Sequence, residues 1–234
     1  MAVADPETDL DALIRRVDPD RWLTSRFIAD PAARADVVAL YAFDHELARA
    51  PRAASSALLA EIRLTWWREV LDEIFAGGAP RHHPVAEALG EAVRRRGLQR
   101  APLEAMIDGQ IEALDMADLD QTAALAWADA VQGSAASLAA TILDPASPAA
   151  PAAVAGRAWG LALLHRAGRA GAGVVWPLLR NALGEARKLA PTLSVAALPA
   201  ALPARLARLE LAGRQSGPLA KRLSLIVATA TGRL

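Results

Sequence analysis

The sequence predicts an all-α fold, and three observations carry that prediction. Apolar residues recur at helical spacing wherever a pattern is clear. Alanine, the strongest helix former, fills 57 of the 234 positions. No alternating strand run of comparable length competes with the helical segments. Taken in order, Val37, Val38, Tyr41 and Leu47 make a first buried stripe, with Ala48 between turns. In residues 58–75, Leu59, Ile62, Trp66, Val70 and Ile74 fall three or four apart, predicting a helix buried along that face. Leu103, Met106, Ile107, Ile111 and Leu114 repeat the spacing.

Breaks fall at Asp18-Pro19-Asp20, Asp30-Pro31, Pro51, Gly77-Gly78-Ala79-Pro80, Gly97, residues 144–151, residues 168–173, Pro177, Pro191, Pro199, Pro203 and Gly217-Pro218. Each is a proline, a glycine cluster or an aspartate able to cap the next helix. They divide the chain into seven to nine helices. No internal repeat appears, and a single domain over residues 1–234 is the expected organisation.

Hydrophobic residues make up 53% and charged residues 22%, which excludes a disordered or collagen-like chain. The absence of cysteine removes disulfides, thiolate metal sites, iron-sulfur clusters and cysteine nucleophiles together. No apolar run reaches the roughly 18 residues a bilayer span needs. The start carries Asp5, Glu7, Asp9 and Asp11 and lacks the order of a secretion signal, so a cytoplasmic location is expected.

A net charge of zero conceals an asymmetry. Residues 1–117 hold 14 basic and 20 acidic side chains, and after Asp144 the only acids are Glu185 and Glu210, against 12 Lys or Arg. That basic part suits either an anionic membrane surface or a phosphorylated ligand, or it is simply a solvated face. Nucleic-acid binding has no support, because the basic residues are spread among apolar helices and follow no recognition motif.

Residues 21–26, then Ala39-Leu40-Tyr41-Ala42-Phe43-Asp44-His45-Glu46-Leu47-Ala48, then Ile62-Arg63-Leu64-Thr65-Trp66-Trp67-Arg68, resemble the opening helices of squalene and phytoene synthases in wording, order and spacing. Weaker similarity lies in Met106-Ile107-Asp108-Gly109, residues 127–133, residues 156–164 and Val174-Val175-Trp176-Pro177-Leu178. It extends over about residues 15–210. The resemblance implies an isoprenoid synthase-like helical bundle around a central apolar cavity, where two prenyl diphosphates condense head to head. It also implies two facing aspartate clusters that hold magnesium, a hard cation that prefers carboxylate oxygen and neutralises the departing diphosphate.

This sequence departs from that pattern at both clusters. Aligned on Tyr41-Ala42-Phe43, the first pair of aspartates becomes Ala48 and Arg52. The second cluster is replaced by His165-Arg166-Ala167-Gly168-Arg169-Ala170-Gly171, and no carboxylate lies between Asp144 and Glu185 wherever alignment gaps are placed. The closer similarity is to a divergent branch, the proteins related to the mitochondrial assembly factor for respiratory complex I. That branch keeps the first helices, loses both clusters and is membrane-associated, which implies a peripheral position at the inner membrane.

Two readings of function follow. In the first, the chain is catalytically silent, needs no cofactor or metal, and binds an isoprenoid or lipid-like ligand, an anionic membrane surface or a respiratory-complex subunit. Tyr41, Arg63, Trp66, Trp67, His165, Arg166 and Arg169 are its candidate ligand-binding residues, with Tyr41, Trp66 and Trp67 lining or filling the central cavity. In the second, the chain is an active transferase. Asp44, Asp108, Glu112 and Asp115 then improvise a magnesium site, and Arg166 or Arg169 holds the diphosphate. The ridge of Asp108, Glu112 and Asp115 has a plainer reading as a solvated or salt-bridged helix face. Glu69, Asp72 and Glu73 with Arg63 and Arg68 are expected to pair on the surface, and His82-His83 to sit in an exposed turn. No Ser-His-Asp spacing or glycine-rich phosphate loop is present.

Overall fold

The aspartates that precede the early helices cap them, and these caps set the first part of the fold. In the computed structural model, which describes residues 9–54, 56–78, 81–213 and 217–234, Asp9 accepts from the amides of Asp11 and Ala12 and opens α1 (Leu10–Val17). Asp18 then opens α2 (Pro19–Ser25) and Asp30 opens α3 (Pro31–Arg52). Ser56 caps α4 (Ala57–Phe75), which is followed by α5 (Pro84–Arg96), ended by Gly97 in the left-handed conformation, and α6 (Arg100–Glu112).

Asp120 caps α7 (Gln121–Trp127), which runs through a π-helical turn (Ala128–Gly133) into α8 (Ser134–Leu143). The remainder is α9 (Ala150–Arg166), α10 (Ala172–Leu189), two short 3-10 turns, α11 (Leu202–Leu211) and α12 (Pro218–Thr231). Twelve α-helices and no strand occur among the described residues, so the fold class is all-α as expected, while the number of helices exceeds the expected seven to nine. The break between α6 and α7, residues 113–120, carries neither proline nor glycine and was not expected, whereas Pro51 and Pro177 stay inside α3 and α10 instead of breaking them. Ala79 and Pro80, part of one expected break, lie outside the described residues.

Two apolar clusters form the interior. One surrounds α3 through Phe43 and Leu47, with Leu64, Leu71, Leu89 and Met106. The other surrounds α9 through Trp159, Leu161 and Leu164, with Val175, Leu179 and Leu206. The π-helical turn and α8 join them, since Ala128 belongs to the second cluster and Ala135 to the first. Here α9 approaches so closely that a Cβ on Gly156 would lie 2.1 Å from the Gln132 carbonyl oxygen.

The stripe expected on α4 is displaced. Ala60, Leu64, Trp67, Leu71 and Ile74 face inward with Val70, while Leu59 and Ile62 are exposed. Residues 58–75 carry two apolar stripes, and packing against α3 and α6 selects the second.

Candidate functional site

The face of α3 on which the resemblance places the first aspartate pair carries Tyr41, Asp44, Ala48 and Arg52, three or four residues apart. Asp44 is the only carboxylate among these four. It is fully engaged: Arg21 of α2 donates Nη2 to its Oδ2 at 2.6 Å, and Gln132 of the π-helical turn donates Nε2 to both oxygens at 2.9 and 3.1 Å. Arg21 further donates Nη1 to Gln132 Oε1 at 3.2 Å and Nε to Asp18 at 2.5 Å, and its guanidinium lies 4.7 Å from the centre of the Tyr41 ring.

Arg21, Tyr41, Asp44 and Gln132 are all buried. Burial opposes the charge on Arg21, but Asp18 and Asp44 outweigh it and hold its pKa above the usual guanidinium range. Burial likewise pushes Tyr41 up to about 12, so its ring packs as a neutral phenol. An ion pair this deep is costly to create and costlier to break, because removing one partner strands the other without water. Arg52 turns back and donates to the Ala48 carbonyl at 2.9 Å.

The segment that replaces the second cluster is used for internal contacts. His165 packs against Trp176 at 4.2 Å between ring centroids. Arg166 lies 4.6 Å over Trp159, is paired with Glu210 and stands 3.4 Å from Asp20. Arg169 donates to the carbonyls of Ala113 and Met116 at 2.7 and 2.9 Å, capping the end of α6.

The carboxylate oxygens that magnesium requires are not offered by these positions, which carry a methyl group, guanidinium groups, an imidazole and glycine. Nor are the carboxylates of the transferase reading assembled. Asp44 is taken by Arg21 and Gln132, Asp108 pairs with Arg68, and no group of three or more His, Asp or Glu is arranged to hold a metal ion among the described residues.

A separate cleft of about 260 Å³ opens between α3, α4 and the turn before α5. Glu46, Arg49, Ala50 and Ala53 form its α3 wall, spaced on the face opposite Asp44 and Ala48. Arg63, Trp66, Trp67 and His83 complete it. Tyr41 and the two tryptophans therefore do not share one cavity as expected, because the α3 helix stands between them. Trp66 and Trp67 meet edge to face at 4.9 Å, and the His83 ring lies 5.7 and 5.2 Å from them. Of the expected exposed turn, His82 is exposed, but His83 is half-buried with an unpartnered Nδ1, and burial lowers its pKa below the imidazole norm.

The seven expected ligand-binding residues thus fall into three surroundings: Tyr41 beside Arg21, Arg63 with Trp66 and Trp67 in the cleft, and His165, Arg166 and Arg169 in contacts at the end of α9 and beyond it. Sequence reasoning missed Arg21, Gln132, Arg49 and His83. The expected surface pairing of Glu69, Asp72 and Glu73 does occur, but with Arg81 and Arg100.

A family model described as squalene/phytoene synthase matches residues 14–171. The bovine protein named NADH dehydrogenase (ubiquinone) complex I, assembly factor 6, is 35% identical over 104 residues, and its human counterpart 33% over 104. Each alignment covers 44% of this chain and only 30% of the relative, so the matched segment spans less than a third of those proteins. A homologue of that name from Dictyostelium discoideum is 23% identical over 116 residues. Among solved structures, a dehydrosqualene synthase in complex with ligand superposes with a TM-score of 0.78 over 94% of both chains at 17% identity, which establishes the shared helical fold.

Proposed function

The chain belongs to the squalene/phytoene synthase family, and on that premise we propose that it keeps the scaffold, has given up prenyl transfer and acts by binding, as an assembly factor for a respiratory NADH dehydrogenase. One observation carries the loss of chemistry. Where the family's reaction calls for facing carboxylates, the last acid on the α3 face is spent on Arg21 and Gln132, and the facing segment has none. The names of the mammalian and Dictyostelium relatives support the assembly role.

Within this reading, the Trp66–Trp67 cleft with Arg63 at its rim, where Arg49 is paired with Glu46, would take an isoprenoid or lipid-like ligand bearing an anionic group, the rings receiving its apolar part. The basic excess after Asp144 supports an anionic surface as a further partner and a peripheral position at the inner membrane.

The purified chain, incubated with farnesyl or geranylgeranyl diphosphate and magnesium, is expected to release no pyrophosphate and form no condensed hydrocarbon. Turnover would overthrow the silent reading. Deleting the gene should leave the host's NADH dehydrogenase incompletely assembled on native gels, and normal assembly would remove the partner.

A further inference from the structure

We propose that α12 is a bilayer-docking helix that lies in the plane of an anionic membrane with its outer face among the headgroups. The inference deepens the part of the reading above that gives the chain an anionic surface, and it does not depend on catalytic silence.

One side of α12 fastens it to the body. Leu225 and Ala228 are buried, Ser224 accepts from Arg205 of α11 at 2.8 Å, and Lys221 reaches Asp20 at 2.5 Å. The opposite side is also apolar and is left uncovered by the described residues. Leu219 and Leu223 are four residues apart, Ile226 and Val227 follow Leu223 by three and four, and the four are 74%, 64%, 52% and 51% exposed. Four large aliphatic side chains aligned on one helix face make an unpartnered surface, unlike single apolar residues scattered elsewhere.

Charge selects the occupant. Residues 211–234 contain four basic residues and no acid. The two acids that follow Asp144 are each paired, the exposed Glu185 with Arg157 and the partly buried Glu210 with Arg166. Arg222 is exposed at the edge of the stripe. Arg205 and Arg208 lie near one another, donating to Ser224 and to the Leu234 carbonyl, and neither meets a side-chain carboxylate among the described residues. Burial, together with the neighbouring charge of Arg208, lowers the pKa of Arg205.

An apolar stripe with Arg222 at its edge, on a helix that carries no acid, complements an anionic lipid surface in both respects. The other exposed aliphatic strip, Leu58, Leu59 and Ile62 of α4, is interrupted by Glu61 and bordered by Glu69, which such a surface repels. No described helix is long and apolar enough to cross a membrane, so α12, about 21 Å long, would lie flat.

Flotation of the full chain with phosphatidylcholine vesicles, with and without phosphatidylglycerol, tests this. The chain should float with the anionic vesicles, more weakly at high salt. The double variant Leu223→Glu/Ile226→Glu, with unchanged circular dichroism because both side chains face solvent, should lose about tenfold in partitioning. Arg222→Gln should lose roughly fivefold. Val195→Glu, the same kind of change on an exposed loop, should bind as the parent does. If the double variant floats like the parent, α12 is not the docking element, although an anionic surface survives as partner. No flotation by the parent overturns both. A dimer in light scattering that the double variant dissociates would give the face to a second copy and overturn the bilayer.

Discussion

Arg21 and Asp44, 23 residues apart on successive helices, meet at 2.6 Å in the interior, on the face of α3 where the family's chemistry requires metal-binding carboxylates. Gln132 bridges both partners from the π-helical turn, so α2, α3 and that turn are tied through one guanidinium. The network satisfies charges that could otherwise hold a ligand, and fixes the helices around them. On the proposed reading, catalytic silence and structural order have a common physical origin.

That arrangement makes Arg21 a residue whose loss is felt as instability. Arg21→Met leaves Asp18 and Asp44 without their cation, and about 3–5 kcal/mol of unfolding free energy should disappear in urea denaturation. Adding Asp44→Leu removes the stranded buried carboxylate and should restore part of the loss. A single variant as stable as the parent would mean that the pair is incidental.

The contact between α9 and the π-helical turn yields a second test. A Cβ on Gly156 would fall 2.1 Å from the Gln132 carbonyl oxygen and 2.7 Å from the Ala136 Cβ, and backbone cannot swing aside as a flexible side chain does. Gly156→Ala should therefore cost roughly 1–3 kcal/mol. Gly184, in the middle of α10, meets nothing within 4 Å, and Gly184→Ala should stabilise by about 0.5–1 kcal/mol through helix propensity alone. Thermal melts of the two variants should move in opposite directions.

Much of this was legible in the sequence because it depends on local rules. Asp18 and Asp30 cap helices through their own side chains, and such a cap is visible as an aspartate before a proline and an apolar period; Asp9 and Asp120 do the same, but no proline follows them and they are not among the expected breaks. The missing carboxylates between Asp144 and Glu185 were legible too, since an absence over 40 positions survives any alignment. What could not be read was juxtaposition. Arg21 and Gln132 are 111 residues apart, and nothing local marks either as half of a pair. On α4 two apolar stripes competed, and only packing decided between them. The π-helical turn escaped because its extra residue per turn breaks the 3.6 period by which helices are recognised.

His83 supplies a test in pH. Burial lowers its pKa below the ordinary imidazole value of 6.5; the charge of Glu46 raises it, that of Arg49 lowers it and that of Glu87 raises it. Burial lowers His45 in the same direction. A base whose pKa is lower in the folded chain than in the unfolded one binds fewer protons when folded. Its contribution to stability is therefore complete above pH 6.5 and is lost as pH falls through that value toward the folded pKa. The urea midpoint should decline between about pH 7 and 5.5, before the lowered carboxylates of Asp30 and Asp144 begin to protonate. His83→Phe keeps a ring against Trp66 and Trp67 and removes the unpartnered Nδ1, so it should match or exceed the parent at pH 7 and shallow the decline. Proton-carbon correlation spectra would assign the effect directly, with the His45 and His83 ring signals titrating below 6.5. An undiminished slope in the variant would shift the whole effect onto His45 and leave the cleft histidine without a role in it.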